Sequence, residues 1–182
     1  MPSERVSFWA ITWKTIAVHT ITYSLVGWLA YTLFDYSAKF AEPAYSAFMR
    51  QTDSPLVVAG SLFQPIRGIL FGVVFYLLQD VLFSRKRGWL VTWCVLVFIG
   101  IFSTFGPSPG SIEGAIYTIL PLNGQLGGLV EVLCQSLLLS WILYFWVNHP
   151  GKRWLNRLLG VLFIIAILLP IIGLLVGRSG TV

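Results

Sequence analysis

Charge is what this chain has least of. Among its 182 residues only 10% are Asp, Glu, Lys or Arg, against about 25% in soluble domains. A chain so poor in charge cannot cover a folded surface with water-compatible side chains, which excludes a soluble globular domain. Cysteine is scarce as well. Cys94 and Cys134 are the two present, each within an apolar run, and neither has zinc or redox spacing. Helical rise sets them at depths roughly 12 Å apart, beyond the reach of a disulfide. The two histidines, His19 and His149, do not pair at matching depth, which argues against haem. No nucleophile–histidine–acid set, phosphate loop or metal motif is found, so neither a cofactor nor a metal is expected. No repeat or low-complexity segment stands out. A cleavable signal peptide is not expected either, because the first apolar run outlasts a 7–15-residue signal core.

Apolar residues supply the rest. They make up 57% of the chain, with a mean hydropathy of +0.81, and they fall in runs long enough to cross a bilayer, which needs about 20 helical residues. The expected fold is all-α: a polytopic transmembrane helix bundle in one integral membrane domain over 1–182. Five spans are expected, at about 8–34, 56–83, 89–105, 127–147 and 155–177. Pro107, Pro109 and Gly110 should stop the third span, with Ser111 as the N-cap of the next helix. Ile112–Leu120 is too short to span and is broken by Pro121, so a re-entrant or interfacial helix is expected on the outer side. Pro170 is expected to kink the last span.

The net charge of +5 could point to nucleic acid, but the basic residues form short clusters beside apolar runs. That is an orientation signal, not a binding stripe. Counted over five spans, Arg5, Lys14, Arg85, Lys86, Arg87, Lys152, Arg153 and Arg157 fall on one side. Lys39, Arg50 and Arg178 fall on the other. The expected topology is therefore N-in and C-out in a bacterial-type inner (plasma) membrane. Trp9, Trp13, Trp89, Trp93, Trp146 and Trp154 all fall near the inner interface.

The candidate site lies in the second span. Gly60, Gln64, Arg67, Gly68, Gly72 and Gln79 recur at steps of three and four on one face. An arginine within the hydrocarbon costs roughly 2.5–3.5 kcal/mol on insertion scales, so Arg67 is expected to face protein, water or an anionic ligand. Pro65 frees a backbone carbonyl near Ser61. Gly68 and Gly72 form a G-x-x-x-G pair that lets another helix approach, either within the bundle or from a homo-oligomer or membrane-protein partner. On the fourth span Gly124, Gly128, Glu131 and Gln135 share a face, with Gly128 read as a packing residue. Glu131, Gln135 and Glu113 are the expected polar partners of Arg67. His19 lies on a polar face with Thr12, Thr15 and Thr22, suited to hydrogen-bonded packing or a proton relay.

Three functions are compatible with these residues. The first is binding or transport of a small anionic solute or lipid headgroup at Arg67. The second is a non-catalytic accessory subunit of a membrane complex. The third is a membrane-embedded enzyme using Glu131 as acid or base.

Overall fold

The structure, a computed structural model, describes residues 5–179, with side chains to residue 176. Among the described residues it is all helix and turn, with no strand. Four helices are long and apolar enough to cross a membrane: α1 (Phe8–Leu33), α4 (Pro55–Leu77), the segment Leu122–Asn148, and α10 over Arg153–Val176. Between α1 and α4 lie two short helices, α2 (Tyr36–Ala41) and α3 (Pro43–Ser46). After α4 come α5 (Gln79–Leu82) and the apolar helix α6 (Gly88–Phe102). Two six-residue helices, α7 (Ile112–Tyr117) and α8 (Leu122–Gly127), precede α9 (Leu129–Asn148), and α10 runs on to Ser179.

The ends of these elements are set by local chemistry. Ser7 caps α1, accepting from Ala10 N at 3.3 Å. Beyond Phe34 the chain turns at Asp35, whose φ of 45° is left-handed. That conformation is tolerable for a short side chain that bonds locally, and Asp35 does so by accepting from Ala38 N at 3.3 Å. Ser111 caps α7 as expected, accepting from Gly114 N at 2.9 Å. The expected helix over Ile112–Leu120 is seen as α7, too short to cross a bilayer, and past Pro121 α8 leads into α9 within the segment Leu122–Asn148. The expected span 89–105 is also shorter than a full crossing, ending at Phe102, and its second half, Val95–Phe102, is π-helical. α10 continues through Pro170.

Side-chain contacts fix the direction of each helix. Val6 N donates to Gln79 Oε1 at 3.0 Å, while Gly60 lies beside Tyr23 at the opposite end, so α1 and α4 are antiparallel. Lys14 Nζ donates to Trp146 O at 3.0 Å and Gly27 faces Glu131, so α1 and α9 are antiparallel too. α6 opposes α9, through Tyr144 OH to Arg85 O at 2.9 Å and Trp93 Nε1 to Leu133 O at 3.4 Å. α10 starts beside the C-terminus of α9 and brings Gly173 to Val58. One end of the bundle therefore collects the turns 84–88 and 148–153 with Arg5, and the other collects α2, α3, α7 and α8.

Gly68 and Gly72 set a tight seam between α1 and α4. A Cβ at Gly68 would stand 2.6 Å from Ile16 Cα, and one at Gly72 2.8 Å from Thr12 Cα. The two backbones approach where only glycine fits, so this face is covered by α1 from the same chain. The main core lies at the basic end, where Ile11, Val18, Phe75, Leu139, Leu143 and Leu155 pack together. Trp146, expected at the interface, is buried in that core, while Trp9 and Trp154 are exposed. Leu70, Leu77, Val161, Ile164, Leu169 and Ile172 face outward, a perimeter that a bilayer accepts and water does not.

Candidate functional site

At the end remote from that core the helices splay and enclose a cleft of about 1020 Å³. Its walls come from the second half of α1 (Tyr23, Ser24, Gly27), the connector after it (Tyr36, Lys39, Tyr45, Arg50), the start of α4, and the α8–α9 junction (Gln125, Gly128, Glu131). The left-handed turn at Asp35 folds α2 back over this opening. Tyr36 then reaches across to α9, where its hydroxyl donates to Glu131 Oε2 at 2.5 Å. Burial and this bond to a carboxylate push the Tyr36 phenol well above its ordinary pKa, because ionising it would set two negative oxygens together.

Aromatic rings continue the same wall. Tyr36 stacks on Phe40 at 5.2 Å between centroids and Phe40 on Tyr45 at 6.4 Å. The Lys39 ammonium lies over Tyr36 and Tyr45, 5.8 and 5.3 Å from their centroids, so the protein's own cation takes these π faces.

Gln125 forms the floor. It is 3% exposed, and its Nε2 donates to Leu120 O at 2.9 Å and Gly114 O at 3.3 Å. Two carbonyls at that atom settle which end of the amide is nitrogen. Oε1 is thereby turned the other way, buried and without a hydrogen-bond partner, as is Ser24 Oγ. Both residues line the cleft. A buried acceptor left unpaired costs about 1–3 kcal/mol, and these two oxygens lie behind the cleft surface, closed off from solvent.

The expected site residues are distributed differently. Arg67 is exposed on the outer face of α4, with its guanidinium over the Phe71 ring at 5.8 Å, so it does not stand inside the bundle. Gly68, beside Ile16, marks the level of Arg67 along α1, and Glu131 is level with Gly27. The eleven-residue offset between Ile16 and Gly27 corresponds to roughly 16 Å of rise. Among the described residues no hydrogen bond or ion pair joins Arg67 to Glu131 or Gln135, and the one ion pair found is Arg5 with Asp80 at 2.8 Å. Gln135 is half-buried on α9 and Glu113 half-buried in the first turn of α7. Gln64 instead bonds His19, Oε1 to Nε2 at 3.1 Å, both buried between α1 and α4. Gly128 packs against nothing: a Cβ there would meet open space, and the residue lines the cleft.

Of the expected polar residues, then, Glu131 alone stands in the cleft. Reasoning from sequence missed Tyr36, Gln125, Ser24 and Tyr23. The signal present was tyrosine, with Tyr23, Tyr31, Tyr36 and Tyr45 clustered about the end of the first span, where an amphipathic ring meets both lipid and water. Among the described residues no group of three or more His, Cys, Asp or Glu side chains converges as a metal site would require. Compared with known families, curated proteins and solved structures, the chain matches none.

Proposed function

We propose that this protein is a multi-pass membrane protein that binds the polar end of a membrane amphiphile in the cleft between α1, α2, α8 and α9. The observation that carries this reading is the cleft's division of labour. Apolar and aromatic walls (Trp28, Leu56, Val57, Leu129) surround a few polar groups of both signs, Lys39 and Arg50 against Glu131. Ligand sites have this make-up, with a largely apolar lining for affinity and a few polar groups for orientation. The headgroup function expected at Arg67 thus moves to a different place. Retention of lipid by the purified protein in native mass spectrometry tests it. Gly128→Trp, which fills open space in the cleft, should abolish retention of any amphiphile that the parent protein carries. Equal retention by parent and variant, or none by either, removes the reading.

The topology belongs to the same proposal. On this reading the shorter apolar helix α6 also crosses, and five passes of alternating direction would put the start of the first helix and the end of the last on opposite sides. Arg85, Lys86, Arg87, Lys152 and Arg153 gather at one end, which the positive-inside rule assigns to the cytoplasm of a bacterial-type inner membrane. The cleft then opens on the outer side.

A second reading, that of an accessory subunit, is favoured by Arg67 alone. Its exposed guanidinium sits mid-helix among apolar residues, where a carboxylate of another membrane protein would remove an expensive exposure. Co-purification of a stoichiometric partner that is lost in Arg67→Leu tests this reading. Recovery of the chain alone opposes it.

A further inference from the structure

At the end of the bundle remote from the cleft, two basic turns rest on consecutive residues of α9. Tyr144 OH donates to Arg85 O at 2.9 Å, and Gly88 lies against the same ring. The Lys152 ammonium lies over the ring of the next residue, Phe145, 4.6 Å from its centroid. Consecutive residues point about 100° apart round a helix, so the turns 84–88 and 148–153 are held side by side round the foot of α9. We infer that this foot is a docking site for an anionic phospholipid of the bilayer, its phosphate held between Arg85–Arg87 and Lys152–Arg153 and its chains lying along α9.

Charge identifies the ligand as an anion. Arg85, Lys86, Arg87 and Arg153 are exposed. The first turns of α6 and α10, which follow these cations, contain no acid. Among the described residues the one ion pair joins Arg5 to Asp80 instead. Guanidinium groups suit phosphate oxygens, which they can meet through two parallel bonds. The neighbouring surface identifies the anion as a lipid. Leu137, Trp141 and Phe145 recur at steps of four on one face of α9. Leu137 and Trp141 are exposed, and Phe145 is half-buried beneath the Lys152 ammonium. This stripe leads from the cations directly into the apolar perimeter. A soluble acidic segment would cover the cations and leave the stripe bare, whereas a lipid covers both. Basic residues at the membrane boundary attract anionic headgroups, and here Tyr144 and Phe145 gather two separate turns of them in one place. The inference rests on the chain spanning a bilayer and not on the cleft.

The test uses the full chain reconstituted in vesicles of equal parts phosphatidylglycerol and phosphatidylcholine, with one or the other lipid brominated on its chains. Bromine quenches tryptophan fluorescence on contact, and the share of Trp141 is the difference between the parent protein and Trp141→Phe. Brominated phosphatidylglycerol should quench Trp141 about twofold or more beyond brominated phosphatidylcholine. The two should become equal in the pair Arg85→Gln with Arg87→Gln, and equally in the pair Lys152→Gln with Arg153→Gln. Tyr144 bonds the backbone of residue 85, so these changes leave the turn in place. Arg5→Gln, at the same end but already paired with Asp80, should leave the excess unchanged. Gly128→Trp should leave it unchanged too, so the cleft reading and this site fail separately. Equal quenching by the two lipids in the parent overturns the site, as does an excess that survives either pair of substitutions. An excess that persists in full in Trp141→Phe places the anionic lipid elsewhere and also overturns it. If equal quenching is joined by binding of hexaglutamate to the parent and not to the Arg85→Gln, Arg87→Gln protein, the patch serves an acidic protein segment and the lipid site is wrong.

Discussion

Tyr36 donates its hydroxyl to Glu131 at 2.5 Å across 95 residues of sequence, and this contact ties the connector after α1 to the start of α9. It closes one side of the cleft and brings the carboxylate and the aromatic wall together. A hydrogen bond to a charged group is worth about 1.5–3 kcal/mol, enough to hold a short connector in place.

Tyr36 should be among the last tyrosines to ionise. Its folded-state pKa lies above the ordinary value of about 10. The stability linked to it is therefore fully present below about pH 10 and is lost as pH rises toward the folded pKa. Thermal unfolding across alkaline pH should show this fall in the parent protein and a shallower one in Tyr36→Phe. Identical slopes would show that the phenol does not bond the carboxylate.

Gly68→Val should destabilise the fold by about 1–3 kcal/mol, the usual range for overpacking, and more if α1 and α4 separate. Gly128→Ala should leave it unchanged or slightly more stable, because the added methyl meets open space and glycine carries a helix penalty of roughly 1 kcal/mol. Thermal midpoints in one detergent compare the two. Similar midpoints for both variants would mean that the seam is not tight.

Replacing His19 by Leu should cost about 1–3 kcal/mol, because Gln64 Oε1 loses its buried partner. The double change His19→Leu with Gln64→Leu should cost less than the sum of the singles. Strict additivity in a double-mutant cycle would show that the pair does not interact.

Labelling tests the passes directly. With Cys94 and Cys134 changed to Ser, cysteines at Lys86 and Gly151 should react from one side of sealed vesicles, and cysteines at Asp53 and Ser108 from the other. Ser108 is the informative site. If it reacts from the same side as Lys86, the 15-residue helix α6 does not cross.

The amino-acid sequence by itself determined the class of protein and, to within about two residues, the boundaries of α1, α9 and α10, but not the end of α4, expected at Phe83 and found at Leu77. Apolar run length, proline, glycine and capping serine act over a few residues, so α1, α9 and the cap at Ser111 were legible without neighbours. It also separated the basic turns at Arg85–Arg87 and Lys152–Arg153 from the apolar runs. Only the tertiary structure decided which face of each helix turns inward. In a soluble protein the polar face marks the outside, but a helix among lipids is apolar inside and out, so periodicity loses its direction. The step-of-three-and-four stripe on α4 placed Arg67 with Gly68, yet Gly68 packs on Ile16 while Arg67, one residue earlier and about 100° round the helix, faces out. The cleft was illegible for a related reason. Tyr36, Gln125 and Glu131 are ordinary residues on three separate elements, and their chemistry exists only where the left-handed turn at Asp35 and the break at Pro121 bring them to one wall.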